Sequence, residues 1–307
     1  MTKRSGLRLK KELSMNSPPA EPRTTGLAFA LGLILAIYAG VRIVESFPNH
    51  IAQSVVVAVD VLSALAFAVV HGALHYRVRG ILVFAGICIV VGNISENLSV
   101  STGFPFGHYY FEELMGPKLF HVPVLLGLAY IGMAYVSWTL ARLIVGAPRM
   151  PVAGARIVTV PLVASFIMVA WDLAQDPVWG TVLHGWAWLD GGPWFGVPIS
   201  NYFGWYGNVF TIYLLFALYL RARPSPAVPA HQASWNAAVL FYALCAAGNM
   251  LQALHHTVPE VVTDPAGKQW RVADITGASA LISIFVMGAF AAIAWIRLAE
   301  QQKSATD

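Results

Sequence analysis

The sequence predicts an all-α fold: a polytopic bundle of about eight transmembrane helices, with both termini cytoplasmic. Three observations predict it. Apolar residues make up 57% of the 307-residue chain and charged residues only 11%, against about 25% charged in a soluble domain. Mean hydropathy is +0.64, and several apolar runs reach the roughly 20 residues that cross a bilayer. Basic residues also segregate to alternate loops, as the positive-inside rule requires.

The elements follow in order. A basic, polar and disordered tail is expected over residues 1–25, a single integral membrane domain over 26–300, and a short polar tail over 301–307. The spans read as Gly26–Phe47, Ile51–His71, Gly80–Ser99, Val122–Val145, Ala155–Gln175, Asn201–Leu220, Trp235–His255 and Ile275–Leu298. Polar residues blur the ends of the second, third and fifth, so seven or nine spans stay open. With the N-terminus inside, all but Arg42, Lys118, Lys268 and Arg271 of the nineteen basic residues fall on the cytoplasmic side. That side includes Lys3, Arg4, Arg8, Lys10, Lys11, Arg23, Arg77, Arg79, Arg142, Arg149 and Arg156. The basic pI of about 9.1 therefore points to anionic membrane lipids rather than nucleic acid. The first apolar run lacks a small-residue cleavage pattern and reads as an uncleaved span. Localisation in a bacterial inner membrane is expected. Cys88 and Cys245 fall within spans and read as small packing residues.

Chemistry collects at one end. Asn93, Glu96 and Asn97 follow i, i+3, i+4 spacing, and Asp172 and Asp176 follow i, i+4, so each set shares a helical face. The alternating topology puts both sets at the outer ends of their spans. The two longest outer loops adjoin them, both rich in glycine, proline and aromatics. Arg42, Glu45, His255 and His256 lie at the same level. Ionisable groups are costly inside a membrane, so a cluster marks a functional site by default. The alternative is that these groups pair only to hold helices together. The tryptophans and tyrosines of the loops fit an interfacial belt, and their faces also suit a long apolar substrate or a carbocation. His71 and His75 have metal-ligand spacing but stand at the opposite end from His255 and His256, which argues against a shared di-iron site. Asn93-Ile-Ser95 and Asn97-Leu-Ser99 match the glycosylation pattern by chance. Asp60 reads either as a helix-pairing residue or as a partner one step removed from the site.

Three strings carry a resemblance: TGFPFGHYYFEELMGPKLFHVPVLLGLAY over 102–130, WDLAQDP over 171–177, and WLDGGPWFGVPISNYFGW over 188–205. Together they resemble the carotenoid biosynthesis membrane-protein family, which includes CruF-type carotenoid 1,2-hydratases and the bisanhydrobacterioruberin hydratase. The resemblance runs from about Gly32 to Arg297. It implies addition of water to the terminal double bond of a linear carotenoid ψ-end, with a tertiary 1-hydroxy product and no redox cofactor; the residues themselves lead us to expect no metal.

Residue roles come from the chemistry of the inferred pocket. Asp172 or Glu96 suits the acid that protonates the alkene, and Asp176 suits activation of water. Asn93, Asn97, Tyr109, Trp171, Asp190, Asn201 and Trp205 are expected to position substrate and water. The carotenoid would enter laterally from lipid. Isomerisation or cyclisation of a polyisoprenoid through the same cation, and proton-coupled transport, are the alternatives.

Overall fold

A computed structural model describes residues 22–47, 50–146, 150–223, 232–255 and 260–306. Most of the basic tail, Arg149 and His256 lie outside the described residues. The helices are α1 (Pro22–Ser46), α2 (Gln53–Thr102), α3 (Val124–Ile144), α4 (Arg156–Pro177), α5 (Ile199–Ala222), α6 (Gln232–His255), α7 (Val272–Ile282) and α8 (Gly288–Thr306). A π-turn over Val178–Val182 prolongs α4, and another over Ser283–Met287 joins α7 to α8. Seven of the resulting helices are long and apolar enough to cross a membrane.

One of the seven is two spans. The 50 residues of α2 would reach about 75 Å as a straight helix, more than twice a bilayer core. Arg77 breaks it, with φ 58° and ψ 168°. A side chain on Gly72 would come within 2.6 Å of Ile81 Cδ1, whereas unbroken helix would hold those residues about 13 Å apart. The chain therefore doubles back, and residues 53–76 and 78–102 form a helical hairpin. With this hairpin the described residues form eight spans. The positive-φ, extended-ψ backbone at Arg77 costs about 1–3 kcal/mol. Next to it, the buried Tyr76 hydroxyl accepts hydrogen bonds from Trp138 Nε1 at 2.9 Å and Arg142 at 2.8 Å, which pin the turn to α3.

Most element ends differ from the hydropathy reading by a few residues, and the first half of α2 runs past His71 to residue 76. Helix α1 begins at Pro22, α4 runs beyond Gln175 into its π-turn, and α8 continues to Thr306, so residues 301–306 are helical. Three short ribbons also amend an otherwise all-α architecture. Strand β1 (Tyr109–Phe111) pairs antiparallel with β4 (Trp186–Trp188), β2 (Lys118–Leu119) with β3 (Val122–Pro123), and β5 (Val261–Thr263) with β6 (Gln269–Arg271). All three lie in loops at one end of the bundle, called here the loop face. Arg77, Arg142, Arg156, Arg221 and Arg297 lie at or near the opposite, arginine face.

Helix α3 is the axis of the bundle, buried from Tyr130 through Leu143 and packed against α2, α4, α6 and α8. Its half nearer the arginine face is filled by large rings. Phe84, Trp138 and Tyr76 each meet Phe216 edge-on at 4.9–5.3 Å. His71 and His75 belong to this packing. Their rings stack at 4.3 Å, and both reach Ser234 of α6, His71 Nε2 at the carbonyl and His75 Nε2 at the hydroxyl. A carbonyl can only accept, so His71 Nε2 carries the proton and Nδ1 accepts from Tyr135. The metal-like spacing of this pair therefore joins three helices.

Candidate active site

Two adjoining cavities occupy the loop-face half. The larger, about 80 Å³, is lined by Tyr38 and Arg42 of α1, Val57, Asp60 and Val61 of α2, Met133 of α3, and Gln175 of α4. The smaller, about 40 Å³, is lined by Glu96, Tyr109, Phe111, Tyr130, Trp188, Asn201 and Trp205. Leu126, Trp171, Asp172, Asp176 and Trp186 form walls of both. Either volume exceeds the roughly 10–15 Å³ that a water needs, and most of the lining is apolar or aromatic.

The two aromatic loops close the smaller cavity by pairing with each other. In the β1–β4 ribbon Tyr109 stands opposite Trp188 and Phe111 opposite Trp186. Successive strand side chains alternate faces, so these four rings point one way while Tyr110 points out, 45% exposed. Phe106 stacks on Trp205 at 5.4 Å, and Tyr130 meets Trp205 edge-on at 4.6 Å.

Three carboxyl groups face this aromatic box. Glu96 accepts hydrogen bonds from the hydroxyls of Tyr109 and Tyr130, one on each oxygen. Burial, and then the adjoining Glu96, hold the Tyr109 hydroxyl well above its usual pKa, so Tyr109 is the donor. Asp176 Oδ1 accepts from Trp186 Nε1 at 2.8 Å and Trp188 Nε1 at 3.3 Å, and its Oδ2 accepts from Asn201 Nδ2 at 2.5 Å. An indole N–H can only donate, so both oxygens of Asp176 are engaged as acceptors. Asp172, one helical turn earlier, receives among the described residues only the longer 3.2 Å bond from the same Asn201 nitrogen.

A second polar group lines the larger cavity. The buried Arg42 guanidinium lies 2.6 Å from Glu45 and 3.5 Å from Asp60, and donates to Asn249 Oδ1 at 2.5 Å. Gln175 Nε2 donates to the same Asn249 oxygen at 2.6 Å, and Gln252 donates to Glu45 at 3.2 Å. Gly248 makes room for the guanidinium, since a Cβ there would overlap Arg42. This arrangement places a cation, its carboxylate partners and an amide beside a cavity that also holds Asp172. Together the two cavities can present a proton donor, proton acceptors and π faces to a single apolar guest.

The family model for carotenoid biosynthesis protein matches residues 54–265. The chain belongs to that family. No curated protein and no solved structure matches it. A role in carotenoid biosynthesis follows from membership, and the apolar spans make this carotenoid biosynthesis protein an integral membrane protein. The match contains Glu96, Asp172, Asp176 and both ribbon-forming loops; Arg42 and Glu45 lie before it, while Asp60, Gln175 and Asn249 lie within it.

In this carotenoid biosynthesis protein, Glu96, Tyr109, Trp171, Asp172, Asp176, Asn201 and Trp205 converge on the shared cavity. Asn93, Asn97 and Asp190 do not. Asn97 Nδ2 bonds the Asn93 carbonyl and side chain, and its Oδ1 accepts from the His121 backbone, which ties α2 to the β2–β3 turn. Asp190 sits past the end of β4, mostly exposed, 2.7 Å from His108. Sequence reasoning did not single out Tyr130, Gln175 or Asn249 at all. It left Asp60 open and noted Trp186 and Trp188 only among the loop aromatics.

Proposed function

We propose that the protein is a carotenoid hydratase, adding water across the terminal trisubstituted double bond of a linear ψ-end to give a tertiary alcohol. The observation that carries this reading is the convergence of Glu96, Asp172 and Asp176 on one aromatic-walled cavity inside the membrane domain. Hydration of an unactivated alkene needs a strong proton donor, a cation-tolerant environment and water, and the reaction needs no change in oxidation state.

Asp172 is the acid in this account. It faces both cavities and among the described residues carries a single long hydrogen bond, whereas both oxygens of Asp176 are engaged by N–H donors. Carboxyl groups set close together in a low-dielectric site favour holding a proton between them. The alkene π pair takes the Asp172 proton at the less substituted carbon, leaving a tertiary cation and a carboxylate. The faces of Trp171, Trp186 and Trp205 stabilise that cation, and the remaining carboxylates supply negative field. Water then forms the carbon–oxygen bond and gives its proton to a carboxylate base of the site, from which it returns to Asp172. Asn201 holds Asp172 and Asp176 in fixed relation. The ring-packed half below the cavity, from Phe84 to Trp138, supports an enzyme closed toward the arginine face over a proton conduit.

Expression in a bacterium that accumulates lycopene tests the reading. New carotenoids that gain the mass of one or two waters are expected. A carotenoid profile unchanged by a well-inserted protein would reject it.

A further inference from the structure

The larger cavity contains a carboxylate that the mechanism above leaves unused. Asp60 lies mid-span in the first half of α2, in a wall otherwise built from Val57, Val61 and Ala64. A carboxylate there is expensive, and a lone hydrocarbon guest would give it no compensation. Its charge is balanced from one side by Arg42 at 3.5 Å. The Asp60 side chain keeps 25% of its surface open while its Oδ1 is fully enclosed. Among the described residues that enclosed oxygen has no hydrogen-bond partner. Asp172 lines the same cavity from α4, and α3 packs against both helices.

We infer that Asp60 is the catalytic base that orients and deprotonates the attacking water, with Arg42 as its positioning residue. This rests on the hydratase reading. Asp176 cannot serve equally, because its oxygens are engaged by Trp186, Trp188 and Asn201. Two carboxyl groups on different helices around one cavity divide the labour in the way addition needs, acid at one carbon and base at the other. The balance closes. Asp172 gives its proton to the alkene, the water oxygen pair forms the new carbon–oxygen bond, and the water proton passes to Asp60. Transfer from Asp60 back to Asp172 through cavity water restores both groups, and the net change is one water added.

The test runs membranes containing the full chain with lycopene in heavy water. Wild type is expected to form the alcohol. Asp60→Asn is expected to lose at least about 100-fold in alcohol formation yet still place deuterium in recovered lycopene, because the cation forms and collapses back to alkene. Asp60→Glu is expected to recover part of the hydration. Fluorescence-detected size exclusion checks that each variant is folded. Alcohol formation by Asp60→Asn within threefold of wild type overturns the assignment. So does a folded Asp60→Asn protein that neither hydrates nor exchanges, since protonation itself would then need Asp60. If wild type makes no alcohol, the hydratase reading fails in that arm alone, and this inference falls with it.

Discussion

Asn201 donates to Asp176 over 2.5 Å although the two residues lie 25 positions apart on different spans. The same nitrogen reaches Asp172 at 3.2 Å, so one amide sets the spacing of two carboxyl groups. Hydrogen bonds to charged groups contribute roughly 1.5–3 kcal/mol. Asn201→Leu is therefore expected to lower alcohol formation about 10- to 100-fold while the protein still inserts, as quantified by chromatography of extracted carotenoids.

The ribbon tryptophans separate two roles, because phenylalanine keeps a ring and removes the indole donor. Trp186 is the closer donor to Asp176, at 2.8 Å against 3.3 Å for Trp188. Trp186→Phe should cost more activity than Trp188→Phe. The reverse order, measured in the same assay, would argue that these rings matter for shape and not for holding Asp176.

Arg42 is 6% exposed and faces Glu45 and Asp60. Removing one partner of a buried ion pair costs about 3–5 kcal/mol, because it strands the other charge. Arg42→Met should sharply lower the thermal midpoint in detergent, and adding Glu45→Gln should recover part of the loss.

The hairpin at Arg77 depends on close approach. A Cβ at Gly72 meets Ile81 Cδ1 at 2.6 Å and Cγ1 at 2.8 Å. Overpacking of this kind typically costs 1–3 kcal/mol. Gly72→Ala should reduce stability, and adding Ile81→Val, which removes the overlapping Cδ1, should recover part of it, read as the thermal midpoint of each purified protein.

Tyr109 gives a pH signature. Burial and the neighbouring Glu96 raise its hydroxyl pKa, so it favours the fold below the ordinary tyrosine value of about 10. That contribution is lost as pH rises through its folded value. Ultraviolet titration of native protein should count the same number of phenolates in wild type and Tyr109→Phe. One fewer in the variant would mean Tyr109 ionises freely.

Much of the bundle is legible in the sequence because hydropathy and basic loops report directly on a bilayer. The pair Arg77 and Arg79 marks a turn even though position 77 carries neither glycine nor proline. Glu96, Asp172 and Asp176 are found because alternating spans bring them to one level. Helical spacing is a coarser guide: Asn97 is about 100° around α2 from Glu96, enough to turn the asparagine pair toward His121 while Glu96 faces the cavity. The link from Arg42 to Asn249 crosses 207 positions and leaves no local pattern. Nor does the strand register that aims Trp186 and Trp188 at Asp176, or the turn after β4 that carries Asp190 to the surface.

The most direct measurement supplies membranes with lycopene in water enriched in heavy oxygen and analyses the product by mass spectrometry. The expected result is a tertiary alcohol carrying the heavy oxygen with wild type and none with Asp172→Asn. Unchanged lycopene with wild type, or an alcohol whose oxygen comes from dioxygen, would contradict the account.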